Sequence, residues 1–215
     1  MDIIYNSLAY LLSNIFQITG DWGIAIIIMT VIVRGFLLPI SIKQKLALEK
    51  QQEITKKVQE IKSKFKNEKE KMEAEISKLS QEGTKNMLGC LVSLLQLPIL
   101  YSLYTVFMRI PMDTASIIVP WLTSLKLPDP YFIIPALTVF VQLMPNALVT
   151  FGFLKTAYIP KVSFGQVIIT SLIAVLFFAK APVALGVYWV TSGFLTSIEQ
   201  ILYSIYKRKS IPQTT

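Results

Sequence analysis

Arg34 is the residue that asks most of its surroundings, because it stands inside the apolar run 22–42, 12 positions after Trp22 and 9 before Lys43. On a helix that rises about 1.5 Å per residue, it sits roughly 18 Å from one end of the run and roughly 13 Å from the other. Snorkelling covers only part of the inner distance. A guanidinium at such a depth in hydrocarbon costs about 2.5–3.5 kcal/mol, so it must face protein or water. Glu199 is the only acidic residue inside any apolar run. It precedes Lys207 by 8 residues, which puts it roughly 12 Å from that end and near the depth of Arg34. The two side chains could form a buried ion pair, or Arg34 could occupy a water-filled cavity and attract acidic groups on a polypeptide. Both hold if one cavity contains both groups.

Uncharged polar residues favour the cavity. Thr30 lies one turn before Arg34; Ser93 and Gln96 share a face, as do Gln166 and Thr170; Thr138, Gln142 and Asn146 form a fourth stripe, and Tyr188, Ser192, Thr196 and Glu199 a fifth. Interhelical hydrogen bonds explain any one stripe. A stripe in every apolar run, with an arginine among them, predicts a shared hydrophilic cavity. Covalent chemistry is not expected. One cysteine, Cys90, and no histidine allow neither a disulfide nor a Cys/His metal site. Nothing resembles a nucleotide-binding loop or a Ser/His/Asp constellation, so neither an enzyme nor a bound cofactor is predicted.

The elements that must carry these residues read as membrane helices. Spanning roughly 30 Å of hydrocarbon takes about 20 apolar residues, and five runs qualify: 22–42, 87–108, 131–153, 163–179 and 183–206. The third contains Pro135 and Pro145, tolerated where neighbours satisfy the freed carbonyls. A hydrophobic content of 53% and a mean hydropathy of +0.55 agree with this class. The expected organisation is an extracytoplasmic helix over 1–20, spans over 21–42, 87–109, 131–153, 163–180 and 182–206, and an external loop over 110–130. The cytoplasmic parts are a helical hairpin over 43–86, a loop over 154–162 and a tail over 207–215. No removable signal peptide is expected, since the start lacks a positively charged region and a cleavage site.

Charge sets the orientation. Residues 43–85 hold 12 Lys and 8 Glu, out of 21 Lys+Arg and 13 Asp+Glu in the chain. With five spans, that segment, Lys155, Lys161 and Lys207-Arg208-Lys209 fall on one side, which is therefore cytoplasmic, with the N-terminus outside. Before the first span, Ile4, Leu8, Leu11, Leu12, Ile15 and Phe16 recur at helical spacing. They predict either an amphipathic helix in the outer interface or one packed on the spans. In the charged segment, Ile54, Val58, Ile61 and Phe65 mark one narrow apolar stripe and Met72, Ile76 and Leu79 another, with the turn at Lys66-Asn67-Glu68. That pattern predicts a projecting antiparallel hairpin.

Several motifs together resemble the YidC/Oxa/Alb membrane protein insertases. They are Trp22-Gly23-Ile24, Ile28 through Gly35 with Leu38-Pro39-Ile40, Gly89-Cys90, Leu95-Gln96-Leu97-Pro98-Ile99, Pro128-Asp129-Pro130-Tyr131 and Leu185-Gly186-Val187-Tyr188-Trp189-Val190. Each is weak alone, but they are collinear over about residues 20–206. The resemblance implies an ATP-independent insertase and chaperone in the bacterial cell membrane, acting alone or beside the Sec translocon. It implies a five-helix bundle whose groove opens to cytoplasm and lipid. It also implies that Arg34 is the groove arginine, that Thr30 and Tyr188-Trp189 contact substrate, and that 43–85 first meets it. Asn86-Met87 lacks the proline common there, position 199 is more usually an amide, and the overall length resembles the short Gram-positive form.

The expected fold is thus all-α: five transmembrane helices, a cytoplasmic hairpin and an N-terminal interfacial amphipathic helix. The predicted groove residues are Arg34, Thr30, Gln96, Gln142, Asn146, Tyr188, Trp189, Ser192 and Glu199, with the seven stripe residues of 54–79 capturing substrate. Expected partners are nascent membrane proteins, the lipid bilayer, the Sec translocon and the ribosome, without DNA, and with the monomer as the working unit. The rival functions are a small-anion transporter or channel, and a membrane scaffold whose hairpin docks a partner.

Overall fold

The computed structural model describes residues 2–65, 69–84, 96–151 and 164–210. Among them the regular structure is helical: α1 (Asp2–Thr19), α2 (Trp22–Lys64), α3 (Lys69–Thr84), α4 (Gln96–Arg109), α5 (Ile133–Thr150), α6 (Phe164–Phe178) and α7 (Val183–Ser210). By length and composition α2 and α5 can each cross a membrane, and α6 contains a shorter apolar helix from Val167 to Phe178. The predicted turn at Lys66-Asn67-Glu68, as well as Ser93, Lys155 and Lys161, lies outside the described residues.

At two of the predicted span limits the helix itself does not end. The division at 42/43 is not a helix end, because α2 runs unbroken for 43 residues from the apolar run into the charged one. Leu, Lys, Glu and Gln dominate 43–64 and are good helix formers, so the change of solvent preference brings no change of backbone. Pro39 lies inside α2. Likewise α7 continues past 206 to Ser210, since the basic residues there are equally compatible with a helix.

Chain turns are set by short polar devices. Gly20, at φ +68, closes α1 through its amide to the Phe16 carbonyl (2.7 Å), a left-handed position that suits glycine. Asp21 then caps α2 by accepting from the Ile24 amide (2.9 Å), and also accepts from the Ser116 hydroxyl and the Ile117 amide, each 2.7 Å away. Asp129, only 2% exposed, accepts from the Trp121 indole, the Tyr131 amide and the Ile134 amide at the start of α5. The same loop meets α7, whose Val183 and Ala184 amides donate to the Leu127 and Leu125 carbonyls. The N-termini of α2, α5 and α7 and the C-terminus of α4 therefore gather around residues 110–132.

The apolar core lies at that end. Leu12 of α1, Ala25, Ile26 and Met29 of α2, Leu103, Val106 and Phe107 of α4, Met112, Val119 and Leu125 of the loop and Leu185 of α7 are fully or almost fully buried. Leu8, Leu12 and Ile15 place α1 against α2 and α4, which matches the packed reading of that helix. Away from this core the outward apolar residues are bare: Phe36 is 80% exposed, and Ile168, Ile169, Leu172, Ile173 and Leu176 make an exposed face on α6. Apolar surface of this extent suits contact with lipid. On α2 burial stops at Thr30 and resumes only at Lys45 and Glu49. The space opposite that gap is the site.

Candidate functional site: a polar cavity and an ionic seam

A cavity of about 430 Å³ lies among α2, α5 and α7. Arg34 and Gln44 line it from α2, Thr138, Val141, Gln142 and Pro145 from α5, and Trp189, Ser192, Gly193 and Thr196 from α7. Two glycines let α7 approach α5 closely. A Cβ at Gly186 would stand 2.3 Å from Ile134 Cγ2, and one at Gly193 would stand 2.7 Å from Val141 Cγ1. Small residues at helix crossings serve this purpose in membrane bundles.

Arg34 is half-buried, and its Nε donates to the Ser192 hydroxyl at 2.7 Å, with a second donation from the same guanidinium to that oxygen. The acceptor is neutral, so the positive charge is oriented but not cancelled. Of the two possibilities left open for Arg34, the ion pair with Glu199 is not formed. Glu199 instead accepts from Lys45 Nζ at 3.0 Å, forming a salt bridge, and from the Ser41 hydroxyl. The reason is helix register. Arg34, Ser41 and Lys45 are spaced by seven and eleven residues, which brings them to one face of an unbroken helix. Lys45 therefore reaches Glu199 at its own level, while Arg34 sits two to three turns above.

The contacts form a ladder: Arg34 with Ser192, Ser41 and Lys45 with Glu199, and Glu49 with the Tyr203 hydroxyl at 3.3 Å. Partner numbers rise together along α2 and α7, so the two helices run parallel. The cavity is thus a polar chamber with one cation whose only described partner is a hydroxyl. Below it, a closed ionic seam joins the same two helices.

The sequence matches the family described as 60Kd inner membrane protein over residues 14–210. The chain belongs to that family. Relatives named "Membrane protein insertase YidC" include one from Caldanaerobacter subterraneus subsp. tengcongensis, 35% identical over 91% of each chain. The one from Fusobacterium nucleatum is 30% identical over 97% of this chain and 99% of its own. The Aquifex aeolicus relative is 33% identical, and the match covers 94% of this chain but only 39% of that longer protein.

Within this family member the predicted groove residues divide. Arg34, Gln142, Trp189 and Ser192 come together around the cavity. Thr30 does not: it is fully buried at the level of the apolar core and its hydroxyl is turned back to the Ile26 carbonyl at 2.6 Å. Tyr188 is likewise buried in the core, and Asn146 is half-buried outside the cavity, one turn beyond the Gln142 level. Glu199 lies in the seam. Gln96 opens α4, but its side chain is outside the described residues, as are those of Leu79 and Gln166.

In the charged segment Ile54, Val58, Ile61 and Phe65 are half-buried among exposed neighbours, as are Met72 and Ile76, and α3 packs on α2. Sequence alone gives no site role to Ser41, in the predicted first span, or to Gln44, Lys45 and Glu49, in the predicted cytoplasmic hairpin. Continuing the register of Arg34 along α2 selects Ser41 and Lys45. The carboxylates Asp21 and Asp129 were also missed as structural staples. Each stands near a helix start, and that was the signal.

Proposed function

We propose that the chain is an insertase of the bacterial inner membrane, helping integral membrane proteins enter the bilayer through the Arg34 cavity without ATP. The reading takes five spans with the N-terminus and residues 110–130 outside and 43–86 and 207–215 in the cytoplasm. Parallel α2 and α7 support it, because helices at the two ends of an odd-numbered series point the same way. The N-terminal helix lies at the outer interface, and 43–86 forms a hairpin whose stripes, Ile54 to Phe65 and Met72 to Leu79, capture an emerging apolar segment. The polar flank of that segment enters the cavity, and the segment passes into lipid.

The observation that carries the reading is Arg34 beside an open cavity, hydrogen-bonded to a neutral hydroxyl and forming no ion pair among the described residues. Such a charge attracts acidic client flanks. Burial of apolar client surface supplies about 25 cal/mol per Å², and the membrane potential about 2.3 kcal/mol per charge per 100 mV for acidic flanks. No covalent step is needed. Nascent membrane proteins are the substrates, the Sec translocon and ribosome are partners, and the monomer is the working unit.

The test is reconstitution into liposomes with a single-span client. Insertion above protein-free vesicles is expected, and Arg34→Ala should lower insertion of acid-flanked clients about tenfold, equivalent to about 1.4 kcal/mol. No insertion above protein-free vesicles would reject the function. An unchanged Arg34→Ala result would reject the electrostatic step. Transport of a small anion in place of client insertion would favour the transporter.

A further inference from the structure

The seam below the cavity has a charge pattern that the insertase reading does not use. Lys45 adjoins the cavity-lining Gln44, and Glu199 comes one turn after the cavity-lining Thr196. Both paired side chains are nearly enclosed, 7% and 10% exposed. Without Glu199, the inner mouth of the chamber would carry a second cation on the same helix face as Arg34. Without Lys45, a buried carboxylate would be left with Ser41 and, along the seam, with Arg34 as the remaining cation on this face. Glu49 lies a further turn out, where it meets Tyr203, so its charge is more remote from the chamber.

We infer that Glu199 is a specificity-determining residue: held by Lys45 and Ser41, it cancels the ammonium at the mouth while staying off Arg34, leaving the cavity one uncancelled positive charge. This rests on the insertase reading and adds which residue sets the charge preference for clients. Glu199→Gln then converts a singly charged chamber into a doubly charged one. Lys45→Met turns Glu199 into a counter-charge for Arg34. The Lys45→Met/Glu199→Gln double variant removes one charge of each sign and returns the chamber to its original balance.

The experiment uses three single-span clients, identical except for Asp-Asp, Asn-Asn or Lys-Lys in the flank, with the full chain in liposomes. The readout is insertion of each charged client relative to the Asn-Asn client. One charge acting across one or two helix turns should change that ratio by about threefold. The Asp-Asp ratio is expected to fall in Lys45→Met, rise in Glu199→Gln and return to the wild-type value in the double variant, with the Lys-Lys ratio moving oppositely. A loss spread equally over all clients would mean that the pair only holds α2 to α7, and would overturn the inference.

A second measurement needs no insertion. Iodide and acrylamide quenching of Trp189, isolated by difference from a Trp189→Phe chain, compares an anion with a neutral probe in the same cavity. The iodide-to-acrylamide ratio should follow the same order across the variants, and an unchanged ratio would overturn the charge assignment. If the wild type inserted no client, the insertase reading would fail while quenching still decided the charge assignment.

Discussion

Arg34 owes its usefulness to the neutrality of its partner. A carboxylate at the Ser192 position would satisfy the guanidinium and leave little field in the cavity, whereas a hydroxyl orients the group and leaves its charge in place. Asp129 does the opposite work: its two oxygens take three N–H donors in a nearly inaccessible pocket and hold Phe132, at φ 58, before α5. Asp129→Ala strands those donors, and each buried unsatisfied group costs about 1–3 kcal/mol. Thermal unfolding of the variant in detergent should therefore fall by several degrees, while Asp129→Asn, which keeps acceptor capacity, should lose less. At this scale the sequence places Arg34 deep in an apolar run but counts Glu199 to the same depth, whereas Glu199 lies at the level of Lys45, two to three turns along α2 from Arg34. Depth follows from counting along one helix. A partner depends on the rotation and register of two, and the cation that α2 brings to Glu199 is Lys45, beyond the apolar run in which Arg34 lies.

Elements were legible wherever composition determined them. The apolar runs around α2, α5 and α7 and the stripe Ile54–Val58–Ile61–Phe65 appear as expected, since helical periodicity survives any tertiary arrangement. Ends were less legible: the change from apolar to charged residues at 42/43 marks a change of environment, and α2 passes through it. The close approach of α7 to α5 was hidden too, because a glycine in an apolar run reads the same whether it faces lipid or a neighbour. Gly193→Ala should force Val141 aside, and overpacking of this kind costs about 1–3 kcal/mol. A lower unfolding temperature in detergent checks it. Gly35→Ala, with open space at its Cβ position, should leave that temperature within error.

Across the whole molecule, apolar packing and polar space are segregated by depth. Residues 110–132 and the starts of α2, α5 and α7 close one end with a core of Ile26, Met29, Phe107 and Leu185, while the cavity and seam occupy the levels beyond Thr30. This division explains why Thr30 and Tyr188 are enclosed although both lie on faces shared with polar residues: they stand at levels the core fills. It also bears on the direction of the proposed function, since a chamber blocked at the end formed by residues 110–132 can receive a client only from the opposite end or from lipid.

The central claim is that this chamber is wet and open to the cytoplasm. In a Cys90→Ser background, Thr196→Cys should react with a small membrane-impermeant thiol reagent added to inside-out vesicles and stay unreacted in right-side-out cells. Ser197→Cys, at a fully buried position one residue on, should react from neither side. A Thr196→Cys thiol that resists the reagent on the cytoplasmic side, or that reacts from the outside, would contradict the account.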